Sequence, residues 1–91
     1  MTDYADLMSA IIKKHIFAIG ATIALQQARN VPKIKVSDNG IVTAGASKEN
    51  LKALIEEYKK IAGSVAIIFA KNAIGPLLTG KEDLPKELLV L

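Results

Sequence analysis

The chain of 91 residues has no cysteine and no tryptophan, a single histidine, His15, and a single arginine, Arg29. The missing cysteine excludes a disulfide framework and any thiolate-held metal. One histidine cannot build a multi-histidine site within one chain, so no cofactor or metal is expected. Aromatic residues make up only 4% (Tyr4, Phe17, Tyr58, Phe69), which leaves little equipment for stacking on bases or sugars. Of the four, Phe17 and Phe69 read as core. Basic residues are nearly all lysine and the net charge is only +3, well short of a dedicated nucleic-acid binder.

What is present is aliphatic. Hydrophobic residues reach 51% with a mean hydropathy of +0.30, carried by Ile, Leu and Ala. The longest apolar runs, Ile16–Leu25 and Ile61–Ala70, are about half the ~20 residues a bilayer span requires. They have the length of buried core helices, and no membrane is expected as a partner. The opening segment MTDYADLMSAIIKK carries acids where a secretory signal needs basic residues, so the expected location is cytoplasmic. A lysine-rich, cysteine-free, isoleucine-rich composition suits a thermophile.

The length predicts one domain over 1–91, of class α+β. A domain this small buries only about 60–65% of its unfolded surface, so oligomerisation is the remaining means of stabilising it. A first long helix is expected from Asp3 to Ala28, capped by Asp3 or Thr2, with Tyr4, Leu7, Met8, Ile11, Ile12, Ile16, Ile19 and Ile23 in helical period. Asn30 and Pro32 end it. Lys33–Gly45, KIKVSDNGIVTAG, reads as a β-hairpin. A three-residue loop, Asp38-Asn39-Gly40, pairs Val36 with Val42 and Ile34 with Ala44 and keeps the apolar residues on one face. A second long helix runs from the Ser47 cap to about Asn72, with Leu51, Leu54, Tyr58, Ile61, Val65 and Ile68 as its seam. Ser64–Phe69 alone also suits a third strand. LPKELLVL reads as a short C-terminal helix docking Leu84, Leu88 and Leu91.

The order strand, DNG turn, strand, helix over Ile34–Ala62 resembles the middle of roadblock-type regulatory domains. That resemblance implies dimerisation and an adaptor role for small GTPases. The long first helix departs from the pattern.

Motifs for chemistry are few. GPLLTGKE, Gly75–Glu82, fits a phosphate-loop frame until Glu82 replaces the Mg²⁺-binding Ser or Thr, and a carboxylate there repels phosphate. Lys13 and Lys14 beside His15 are expected to keep its ring neutral. Glu56 and Glu57 point apart on a helix and read as helix support, Glu56 reaching Lys60. No catalytic residue is therefore expected.

Two stripes of small residues, Gly20, Ala24, Ala28 and Ala62, Ala66, Ala70, lie in the halves of the helices that are apolar nearly all round. A helix apolar all round must be buried all round, and two helices with a hairpin cannot enclose it. The helix pair is therefore expected to be completed by homodimerisation or a higher oligomer along these stripes. The function expected is a non-catalytic homo-oligomeric interaction or regulatory module, open to a further protein partner. The alternative is a small nucleic-acid-associated protein whose anion-binding face gathers Lys13, Lys14, Arg29, Lys33 and Lys35.

Overall fold

The computed structural model describes residues 3–80 and 82–89. Asp3 begins the first helix, its carboxylate accepting the Asp6 N–H at 3.1 Å. Helix α1 (Tyr4–Ile19) buries Leu7, Met8, Ile11, Ile12 and His15, the face that the helical period marks. It does not continue to Ala28. Gly20 takes φ +92°, ψ +152°, a backbone that L side chains rarely adopt, and the chain turns into α2 (Ala21–Arg29). Helix α2 buries Ala24, Leu25 and Ala28.

The second long helix is divided in the same way. Ser47 caps α3 (Lys48–Ala62) by accepting the Asn50 N–H at 3.0 Å. Gly63, at φ +59°, ψ −142°, ends it, and α4 (Val65–Ile74) follows. Ser64–Phe69 therefore contributes to a helix and not to a third strand, and the roadblock-like order of elements ends at α3. The corner also rotates the seam. Leu51, Leu54 and Tyr58 are buried as expected, whereas Ile61 at the end of α3 is already exposed; beyond Gly63 the buried residues are Ala66, Ala70 and Ile74, while Val65 and Ile68 are exposed. A short 3₁₀ turn, Gly75–Leu77, and α5 (Lys86–Leu89) complete the chain. Leu84 and Leu88 dock as expected; Thr2, Lys81 and Leu91 lie outside the described residues.

The class is α+β: a mostly helical chain with one antiparallel two-stranded hairpin, β1 (Lys35–Val36) and β2 (Val42–Ala44). Gly40 N–H donates to the Ser37 carbonyl at 3.0 Å, Ser37 N–H to the Ile41 carbonyl at 2.9 Å, and Gly40 has φ +86°. This is the expected three-residue loop with its left-handed glycine. Val36 pairs with Val42 as expected, but Ala44 pairs with Lys35 rather than Ile34. The irregularity leaves Thr43 as the extra residue of a bulge, its hydroxyl donating to the Lys35 carbonyl at 3.4 Å.

The hairpin is completed by the chain's own helices. On the β2 edge the Val42 N–H donates to Ser9 Oγ of α1 at 2.9 Å. On the β1 edge Arg29 of α2 donates to the Val36 carbonyl at 3.0 Å. Edge groups paired in this way are no longer free to take a strand from another chain. Helix α1 packs on α2 and α4, and α3 packs on the same two. Near the C-terminus, Tyr4 Oη donates to the Asp83 carbonyl at 2.6 Å and Lys48 Nζ meets Asp83 Oδ1 at 2.9 Å, which ties the last segment to α1 and α3.

Candidate functional site

Apart from Leu77 on the 3₁₀ turn, the large apolar side chains left exposed lie close in sequence to the two glycine corners. Phe17 is 88% exposed and Ile68 55%, and Ile23, Ile61 and Val65 are each close to half exposed. The expectation that Phe17 belongs to the core is thus corrected: Leu7, Met8, Ile11, Ile12 and His15 face inward, whereas Phe17 sits on the opposite side of α1. These five residues flank the two glycine corners, and a set of side-chain contacts holds the corners together. The His15 ring of α1 stacks on Tyr58 of α3, centroids 3.7 Å apart and planes 4° from parallel. Its edge meets Phe69 of α4 at 5.5 Å. Tyr58 Oη donates to the Ala24 carbonyl of α2 at 2.8 Å. One imidazole and one phenol therefore join four helices where α1 ends, α2 begins, α3 ends and α4 begins.

That end carries no ionisable side chain over Phe17–Ala28 or Ile61–Ala70. Large uncharged apolar surfaces on a small domain mark interaction sites. An open groove of about 580 Å³ runs beside it along α2, lined by Ala21, Thr22, Leu25, Gln26, Arg29 and Asn30.

The small-residue stripes sit elsewhere in the architecture. Ala24, Ala28, Ala66 and Ala70 are buried within the single chain, Ala62 is half-buried, and Gly20 is exposed with open space where a Cβ would stand. The four buried alanines are small enough to let α2 and α4 approach their neighbours inside the subunit.

Four of the five basic residues, Lys13, Arg29, Lys33 and Lys35, lie on or beside the hairpin. Arg29 is engaged by Asp38 at 3.0 Å as well as by the Val36 carbonyl. Lys13 lies beside the Gly40 turn, its Cγ close to where a Cβ on that glycine would point. Lys33 and Lys35 are exposed on the hairpin arm. Lys14 points to a different element, its ammonium 6.0 Å above the Phe69 ring. The exposed Arg29–Asp38 pair contributes little to stability but halves the positive charge at the turn.

No protein-family model, curated protein or solved structure matches this chain. Glu82 shows what the phosphate-like frame is used for. Its carboxylate accepts the Thr79 N–H at 2.9 Å, the Thr79 hydroxyl at 3.0 Å and the Gly80 N–H at 3.1 Å. The Thr79 N–H bond above all lowers its pKa below the usual carboxylate value. The backbone donors that would cradle a phosphate are filled by the chain's own anion.

Glu56 and Glu57 do support the helix, but through partners three residues on: Glu56 meets Lys59 at 3.6 Å and Glu57 meets Lys60 at 2.8 Å. The Lys60 ammonium lowers the Glu57 pKa, aided by Asn30 of α2, which donates to it at 3.3 Å. The His15 pKa is lowered, as expected, but burial of the ring is the first cause, not the flanking lysines. Burial likewise pushes the Tyr58 phenol up. Among the described residues no group of three or more His, Cys, Asp or Glu is placed to hold a metal, and no helix is long and apolar enough to cross a membrane.

Replacing Tyr58 by Phe keeps the stack on His15 and removes only the bond to the Ala24 carbonyl. A loss of about 1 kcal/mol is expected, read as a lower urea midpoint with an unchanged slope. An unaltered midpoint would show that the phenol does not tie α2 to α3.

Proposed function

We propose that the chain is a non-catalytic interaction module that associates with a second copy of itself through the apolar end formed by Phe17, Ile23, Ile61, Val65 and Ile68. The observation that carries this reading is the 88% exposure of Phe17 amid other exposed aliphatic side chains. A surface with few charges brings few like charges together when it meets its own copy, and a two-fold arrangement uses each residue twice. The titratable groups that a catalytic reading would need have other employment: His15 is packed in the core, Glu57 is bound to Lys60 and Asn30, and Glu82 closes its own loop.

The test is a double substitution, Phe17→Ser with Ile68→Ser, at positions that leave the core untouched. Burying a large apolar side chain is worth about 1.5–3 kcal/mol, and each loss counts once per subunit. The dissociation constant from sedimentation equilibrium is expected to rise at least about a hundredfold, with the far-ultraviolet spectrum unchanged. Undiminished association would overturn the proposed surface. Salt-sensitive retention of the native protein on heparin, without self-association, would favour the lysine-based nucleic-acid reading instead.

A further inference from the structure

The sequence's one histidine is among its most deeply buried side chains, and the self-association just proposed makes no use of its chemistry. His15 is fully buried. Its Nδ1 lies 2.9 Å from the Ile11 carbonyl, which fixes the proton on Nδ1 as the donor. Its Nε2 is buried with no protein group bonded to it. One face of the ring is covered by Tyr58 at 3.7 Å and an edge by Phe69 at 5.5 Å.

A proton arriving at Nε2 would create an imidazolium with one hydrogen bond to a carbonyl and no counter-ion. The groups facing the ring offer none. From α3 comes the neutral phenol of Tyr58, and from α4 the hydrocarbon ring of Phe69. The Ala24 carbonyl of α2, which accepts the Tyr58 hydroxyl, is neutral as well. From α1 itself comes the Lys14 ammonium, which sits on the Phe69 ring at 6.0 Å and has the wrong sign.

We propose that His15 is an acid-sensitive latch: proton uptake at Nε2 breaks the stack on Tyr58 and loosens the corner where α1, α2, α3 and α4 meet. The latch belongs to the packing of one chain and does not depend on self-association. Its direction follows from linkage. Burial lowers the affinity of the folded ring for a proton, while the unfolded chain binds one with the ordinary imidazole pKa of about 6.5. Above that pH both states are neutral and stability is complete. As pH falls below it, the unfolded state gains a proton that the packed ring refuses, and the folding constant drops by up to tenfold per pH unit. The contributions of Glu57 and Glu82, whose carboxyl pKa values are lowered, are lost only as pH falls through the carboxylate range. The interval between about pH 6.5 and 5 is therefore the histidine's.

The experiment is urea unfolding at fixed protein concentration from pH 8 to pH 5, for the native protein and for His15→Phe, which keeps a stacking ring but cannot be protonated. The native folding constant is expected to be flat above pH 7 and to fall progressively below pH 6.5, while that of His15→Phe stays level. An equal fall in both proteins, or none in the native one, overturns the latch. Should His15→Phe fail to fold, nuclear magnetic resonance of the native ring decides, since a sole histidine needs no assignment. A ring that titrates near pH 6.5 with the tertiary spectrum unchanged contradicts the proposal. A ring that stays neutral until the tertiary spectrum collapses supports it.

Discussion

Replacing Ala66 by Glu is expected to unfold the chain itself, not merely to separate subunits. Ala66 is 1% exposed on the face of α4 that also buries Ala70 and Ile74. A glutamate there must either carry an unpaired charge into the core, at a cost of several kcal/mol, or stay protonated and overfill the site, which costs about 1–3 kcal/mol. A domain of this size has only about 5–10 kcal/mol in total. Circular dichroism at neutral pH should show the cooperative thermal transition lost or shifted far down. A folded variant with the native melting temperature, changed only in its mass, would mean that Ala66 faces another subunit and that the packing of α4 described above is wrong.

Gly45→Ala should come next in severity. At φ +80° a Cβ on Gly45 would stand 1.9 Å from the Lys33 carbonyl oxygen and 2.9 Å from Ile34 Cα. Those are backbone atoms at the base of the hairpin, which cannot swing aside as a side-chain terminus does. The Gly45 carbonyl is also held by Asn50 Nδ2 at 2.6 Å, so the strand end and the start of α3 would shift together. Left-handed strain of about 1–2 kcal/mol adds to a similar or larger packing penalty, for a total of about 2–5 kcal/mol. Gly40→Ala is the control. It shares a positive φ, but its Cβ would meet side chains and not backbone: Ile16 Cδ1 at 3.0 Å, an end that can swing aside, and Ile12 Cγ2 at 3.2 Å, which need give by only a few tenths of an ångström. Urea midpoints should rank Gly45→Ala well below Gly40→Ala. The reverse order would contradict the bulged register.

The parts of the fold that read clearly from the sequence are those where local chemistry and global packing agree. Ser47 before a helical period, Asp38-Asn39-Gly40 between two short apolar runs, and the inward series from Leu7 to Ile12 each point to one answer. The two corners did not read in this way, because β-branched and alanine residues continue on both sides of Gly20 and Gly63 and imitate an unbroken helix. Gly63-Ser64 carries a recognisable signal, a glycine just past a helix end and a small polar residue before the next start, although the Ser64 side chain makes no capping bond. At Gly20 the glycine alone marks the turn.

The consequences for the candidate surface follow directly. Reading each pair of helices as one rod assigns the whole apolar half to an outside partner. Breaking the rods lets Ala24, Ala28, Ala66 and Ala70 pack within the chain, and leaves Phe17, Val65 and Ile68 outside. The helical period from Leu7 to Ile19 already leaves Phe17 off the buried face, but the apolar run in which it stands, two positions after a buried histidine, hides that signal. Nor does the sequence reveal that Ser9 and Arg29 close the hairpin edges, because neither contact follows from local spacing.

Self-association through the apolar end is the central claim, and light scattering after size exclusion at low micromolar concentration tests it most directly. The subunit mass is 9.7 kDa. The expected result is a folded species of at least twice that mass, little altered when the salt concentration is raised, because the contact is mostly apolar and holds little charge to be screened. A folded monomer of 9.7 kDa in both buffers would contradict it.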